Sequence, residues 1–190
     1  MASKQPYHHG DLRPALLAAA IDTIEETGAP AMSMREVARR AGVTHTAATY
    51  HFGDKAGLLA AVAAEGYRIL ADALIRAREE RRSFLEMGIA YVHFAITHPA
   101  HFEVMYHPAL YDPGDAAVQA VKQETAALLY GSRDAPTEQL TLGVAAWSIV
   151  HGFVTLWLNG NIPPSIGDDP EDIARAVASH LRVPRSRREG

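Results

Sequence analysis

Residues 33–55 constrain the fold more than any other stretch. They read Ser-Met-Arg-Glu-Val-Ala-Arg-Arg-Ala-Gly-Val-Thr-His-Thr-Ala-Ala-Thr-Tyr-His-Phe-Gly-Asp-Lys. Two short helical patterns meet at Ala41-Gly42-Val43. Ser33 with Glu36 three residues later has the form of a capping box, hydroxyl to a first-turn N–H and carboxylate back to the cap. Gly42 supplies a position free to take positive φ, which stops the first helix and turns the chain. Thr44 is placed to cap a second helix running to about Phe52. Helix, tight glycine turn and helix form a helix-turn-helix pattern.

The second helix has two sides. Ala48 and Phe52, four apart, share an inward side, while His45, Thr46, Thr49 and Tyr50 lie opposite. These are compact hydrogen-bonding side chains suited to a DNA groove. Residue types alone allow equally a solvated helix of an ordinary bundle.

Resemblance separates the two. Val43 to Lys55, followed by Leu58-Leu59, resembles the recognition helix and the start of the next helix in TetR-family repressors. The pattern there is roughly Val-Ser-x-x-x-Leu-Tyr-x-His-Phe-x-x-Lys-x-x-Leu. Val43, His51, Phe52, Lys55 and Leu58 match it, with Thr44 for Ser. Ala48 stands where a larger aliphatic is usual and Thr49 where Tyr is usual; the neighbouring Tyr50 is the substitute aromatic phosphate contact. Further matches are Tyr7-His8-His9-Gly10-Asp11-Leu12-Arg13, His98-Pro99-x-x-Phe102-x-x-Met105-Tyr106, and Trp147-Ser148-Ile149-Val150-His151-Gly152, which is similar to a Trp-x-x-x-His-Gly signature of one subgroup.

The rest of the chain reads as all-α. Asp11 is placed to cap a first helix, Pro14 is tolerated in its first turn, and Leu16, Leu17, Ala20, Ile21 and Ile24 form its apolar stripe before Gly28. A long helix over about 54–82 would span about 40 Å. Its N-terminus near Gly53–Lys55 is an anion site by its free N–H groups. Further helices are expected at about 84–97, 99–107, 115–131, 137–159 and 170–182, punctuated by prolines. The domains expected are a helix-turn-helix unit at 9–55 behind a flexible arm at 1–8, a ligand-binding and dimerisation domain at 56–183, and a disordered tail at 184–190.

Composition adds limits. The chain of 190 residues has no cysteine, which excludes disulfides, thiolate metal sites and a cysteine nucleophile. With no signal-peptide pattern, a cytoplasmic location is expected. Thr141–Asn161 carries no charge and approaches membrane-spanning length. It holds Ser148, His151 and Thr155 and lacks Lys or Arg anchors, so a helix buried on several sides is expected, with no membrane. Net charge is −4, which does not itself indicate a nucleic-acid partner. Within 33–55, Arg35, Arg39, Arg40 and Lys55 outnumber Glu36 and Asp54, a local and modest basic footprint.

Candidate sites follow. At DNA, Thr44, Thr46, Tyr50, His51 and Lys55 are assigned to phosphates, and His45, Ala47 and Thr49 to base edges, with Ser33 completing the set. His98 and His101 have a spacing that suits two metal-binding imidazoles on one helix, but nothing completes a site, so neither a metal nor a cofactor is expected. No nucleophile elbow or phosphate loop supports an enzyme, and no catalytic residue is assigned. His151, mid-helix in the uncharged run, needs a hydrogen-bond partner, either structural or a ligand. Tyr67, Tyr91, Phe94, Met105, Tyr106, Trp147 and His151 are the candidate lining of a pocket for an apolar or aromatic effector, although an aromatic stripe at helical spacing is more often plain core.

The resemblance implies a homodimer, formed by helices 137–159 and 170–182, on a palindromic double-stranded DNA operator. Val144, Trp147, Val150, Val154 and Leu158 form one apolar face of the first of these, extended by Ile149, Phe153, Leu156 and Trp157. The function expected is a ligand-responsive transcriptional regulator, a repressor released by a small molecule. The alternative is a helical sensor that does not bind DNA, or a metal-binding module.

Overall fold

The computed structural model describes residues 12–81 and 83–179; among these it has nine α-helices and no strand. They are α1 (Leu12–Thr27), α2 (Met34–Arg40), α3 (His45–Phe52), α4 (Lys55–Arg81), α5 (Phe84–Thr97), α6 (Pro99–Met105), α7 (Ala116–Tyr130), α8 (Thr137–Leu158) and α9 (Pro170–Ser179). Single 3-10 turns at Pro108–Leu110 and Pro164–Ile166 were not foreseen. The expected cap Asp11, the arm, the match at Tyr7–Asp11, positions 180–182 of the last expected helix and the tail lie outside the described residues.

The chain forms two compact units. The first runs to Arg68 and takes back His98–Gln123; the second is Ile69–Thr97 with the residues from Glu124 onward. Helices α4 and α7 therefore each supply residues to both.

In the first unit α1 packs on α2 and α6, and α2 on α3. Leu16, Ala20, Ile24, Val37, Ala48, Leu58, Leu59 and Val62 are buried. Each fully covered leucine contributes roughly 1.5–3 kcal/mol against exposure. Gly28, at φ 78°, ends α1 by returning its N–H to the Ile24 carbonyl at 2.7 Å.

In the second unit α5 lies against α8 and α9, and these touch each other. Tyr91, Val92, Phe94, Ala95, Phe153, Val154, Ile173 and Ala174 fill this core. At its rim Arg175 is paired with Glu86, and His93 Nδ1 lies 2.7 Å from Glu171. Gly143 lets α8 meet the end of α7: a Cβ there would sit 2.4 Å from Tyr130 Cα.

Helix α8 corrects one expectation. It is long and apolar enough to cross a membrane by length and composition, with a mean hydropathy of 1.5, yet only 17% of its most apolar window is buried. It is thus not covered on several sides by the described residues of its own chain. The face drawn through Val144, Trp147, Val150, Val154 and Leu158 is split: Val154 is buried, while Val144 and Leu158 are exposed. Leu142 and Leu156 are also exposed, as is Val177 of α9. Apolar periodicity marks which side of a helix avoids water, not which chain covers it.

Candidate nucleic-acid interface

Helix α3 is built as a presented surface. Thr44 caps it in extended backbone, its hydroxyl accepting the Ala47 N–H at 3.2 Å. Ala48 is fully buried, so the helix sits close on its support. His45, Thr46, Tyr50 and His51 are exposed, and Ala47 and Thr49 half-buried. Tyr50 is 87% exposed, with its ring edge-on to His51 at 5.5 Å. Phe52 is half-buried and lies under the Arg13 guanidinium, 5.2 Å from its ring centre.

The joint between α3 and α4 is tight. Gly53 takes φ 76°, and the Asp54 N–H bonds to the Phe52 carbonyl at 2.9 Å. The Asp54 carboxylate accepts the Gly57 N–H at 2.9 Å, capping α4. A Cβ on Gly57 would lie 2.0 Å from the Phe52 carbonyl oxygen. The helix start expected as an anion site thus already carries the Asp54 cap, which was not foreseen. An aspartate three residues before the Gly57 amide was the available signal. Lys55 spends one donor on the Pro30 carbonyl at 2.7 Å, an unforeseen bond.

The capping box at Ser33 does not form: Ser33 makes no side-chain cap bond. Glu36 turns instead to two guanidiniums, accepting Arg39 at 2.8 and 2.6 Å and Arg40 at 2.9 Å. Charge-assisted and bidentate bonds outcompete a neutral N–H. These arginine hydrogen bonds hold the Glu36 carboxyl down at about 2. Arg40 also grips Glu26 of α1 and lowers its pKa in turn. Two of the four local bases are thus already compensated, while Arg35 and Ser33 are exposed.

The seven candidate pocket residues fall into two sets. Tyr67, Met105 and Tyr106 belong to the first unit: Tyr67 and Tyr111 both donate to the Met105 carbonyl at 3.2 Å, and Tyr106 lies between Tyr67 and Phe102, at 6.5 and 4.9 Å. Tyr91, Phe94, Trp147 and His151 belong to the second. There the Tyr91 hydroxyl meets His151 Nδ1 at 2.8 Å, and the Trp147 ring stands 5.5 Å from His151 and 5.9 Å from Tyr130. Burial lowers the His151 pKa, so the imidazole is held toward its neutral form. Tyr91 is thus the partner that this mid-helix histidine required. A separate surface hollow of about 230 Å³, lined by Trp157, Ile162 and Pro164 among others, contains none of the seven.

His98 and His101 stand 5.7 Å apart, ring to ring. His101 is buried, its Nε2 3.3 Å from Glu65, and burial lowers its pKa against the opposing pull of that carboxylate. Among the described residues no three His, Asp or Glu side chains come together as a metal site would require.

Two family models match this chain. Residues 16–62 match "Bacterial regulatory proteins, tetR family", and residues 84–181 match "Tetracyclin repressor-like, C-terminal domain". A protein of unknown function from Rhodococcus sp. RHA1 is 32% identical, with 93% of this chain and 96% of that one covered and a TM-score of 0.77. The TetR family transcriptional regulator PfmR from Thermus thermophilus is 18% identical, covering 86% and 94%, at a TM-score of 0.65. NalD, the secondary repressor of the MexAB-OprM multidrug efflux pump in Pseudomonas aeruginosa, is 20% identical, covering 91% and 95%, at 0.62. None of the curated proteins matches.

Proposed function

The chain belongs to the TetR family of transcriptional regulators, and from that membership we propose that it is a homodimeric repressor whose α3 enters the major groove of a palindromic operator. It is a ligand-responsive, DNA-binding regulator, and regulators of this family bind operators, dimerise and take small-molecule effectors. They are soluble and typically cytoplasmic, and that is the location proposed here.

The observation that carries the reading is α3 itself. A helix anchored by buried Ala48 and capped by Thr44 turns His45, Thr46, Tyr50 and His51 to solvent. In this reading residues 9–55 are the DNA-binding domain and 56–183 the effector and dimerisation domain. Thr44, Thr46, Tyr50, His51 and Lys55 meet phosphates, with Ser33 beside them. His45, Ala47 and Thr49 meet base edges, Ala47 through a thymine methyl. The exposed apolar residues of α8 and α9 are the surface where a second copy packs.

The effector is apolar or aromatic, and the second-unit set of Tyr91, Phe94, Trp147 and His151 supports a site there, with His151 as its polar group. Tight operator binding needs two recognition helices about 34–36 Å apart. An effector that favours a different tilt of α4 shifts the population away from that spacing, provided it binds that state more tightly. Selection of duplexes from random DNA, followed by a gel shift at low salt, tests the reading. Recovery of a palindrome supports it; no complex with any duplex favours a helical sensor that does not bind DNA. A metabolite screen for release of the selected duplex then addresses the effector.

A further inference from the structure

The turn between α1 and α2 is held from two directions. After Gly28 has closed α1, the next N–H belongs to Ala29, which is wholly buried. In many helix ends that group turns back to its own helix. Here it donates to Glu103 Oε1 of α6 at 3.0 Å, 74 residues along the chain. One residue on, the Pro30 carbonyl accepts from Lys55 at the start of α4. The turn that leads into α2 and α3 is therefore pinned at its N–H by α6 and at its C=O by α4.

Helix α6 is in turn seated firmly on α4. A Cβ at Gly66 would lie 2.5 Å from Met105 Sδ and 2.9 Å from His101 Cβ, so the two helices meet as closely as their atoms allow. The Tyr67 hydroxyl donates to the Met105 carbonyl, and Glu65 faces His101. A carboxylate near the C-terminus of α1 opposes the helix dipole, so Glu103 is poorly chosen for stabilising α1. It is well placed to fix where α1 ends.

We infer that Glu103 is a positioning residue for operator binding: through the Ala29 N–H it ties the α1–α2 turn to α6 and so sets the pose from which α3 meets DNA. This rests on α3 being the helix that enters the groove. Glu103 touches no DNA, and its removal leaves the phosphate contacts in number as they were. It frees a buried N–H and loosens the pose.

The test compares wild type with Glu103→Ala, Glu103→Gln and Glu103→Asp on the duplex selected from random DNA. Fluorescence anisotropy is measured at several salt concentrations, with thermal melts and hydrogen exchange at the Ala29 amide. Glu103→Ala is expected to lose about two- to tenfold in affinity, the usual net worth of one hydrogen bond. Its salt slope stays at the wild-type value and its Ala29 amide exchanges faster. Glu103→Gln keeps an acceptor at the same reach and stays within about twofold of wild type. Should the alanine variant not fold, the shorter Glu103→Asp takes its place with the same expectation. Wild-type affinity and Ala29 exchange in the alanine or aspartate variant would overturn the inference, as would a glutamine variant as weak as alanine. If wild type binds no duplex at all, the DNA reading fails and the inference with it, and the Ala29 exchange rates still report whether the pin exists.

Discussion

Lys55→Ala separates two jobs that one ammonium can hold together. In the free protein Nζ donates to the Pro30 carbonyl at 2.7 Å. An ammonium has three donors, so two remain for a phosphate. Loss of the exposed bond to Pro30 costs about 0.5–1.5 kcal/mol of stability, the usual net worth of one hydrogen bond. Loss of a phosphate contact has a different signature. Each neutralised phosphate contributes about −0.9 to the slope of log K against log salt, so a dimer that loses two contacts flattens by about 1.8. Over a fourfold rise in salt, each lost contact closes the gap between wild type and variant by about 3.5-fold. The assay is an anisotropy titration at about 50 to 200 mM salt, the range over which such slopes are read, run on the selected duplex and on a scrambled one, with urea melts of both proteins. The expected result is a flatter slope on both duplexes and a small drop in stability. A lower stability with an unchanged slope would refute the phosphate assignment and leave Lys55 as a clamp on the turn alone.

Three further outcomes are expected. His45→Ala relaxes base preference at one position of each half-site, by about 1–3 kcal/mol of discrimination, and an unaltered selected-site logo would assign His45 elsewhere. Glu36 has a folded pKa of about 2 against an ordinary value of 4.5, so its ion pairs stabilise the fold above pH 4.5 and that contribution fades as pH falls toward 2; the stability gap between wild type and Glu36→Gln in urea should close over that interval, and a gap that does not change with pH would count against it. Glu introduced at both Leu142 and Leu156 of the exposed α8 face should shift the sedimenting species from dimer to monomer without loss of helix content, and an unchanged dimer would move the interface to another surface.

How much of this was legible in the sequence differs by scale. Helix positions were, because prolines, Gly28, Gly42 and 3.6-residue stripes are local signals. So was Thr44, whose partner lies three residues away. Ser33 misled because Glu36 had competing partners at positions 39 and 40, and two guanidiniums within a helical turn outbid a single cap N–H. The Glu103–Ala29 bond was invisible: nothing in residues 28–31 announces an acceptor 74 positions on. The candidate pocket residues are divided between the two units, three in the first and four in the second, a division that helical spacing does not announce because it gives each side chain a direction without giving the helix a neighbour. The exposure of α8 had the same origin.

The contact at Gly57 limits how such a protein can be retargeted. A side chain there would run into the last carbonyl of α3, a backbone atom that cannot swing aside. In the proposed reading, α3 is therefore not an exchangeable cassette ending at Phe52. A transplanted α3 would keep its aim only if the recipient also offered Gly53, the Asp54 cap and a glycine at 57; any larger residue there would wedge the graft off its axis, and a new specificity would then fail by misalignment rather than by its choice of bases.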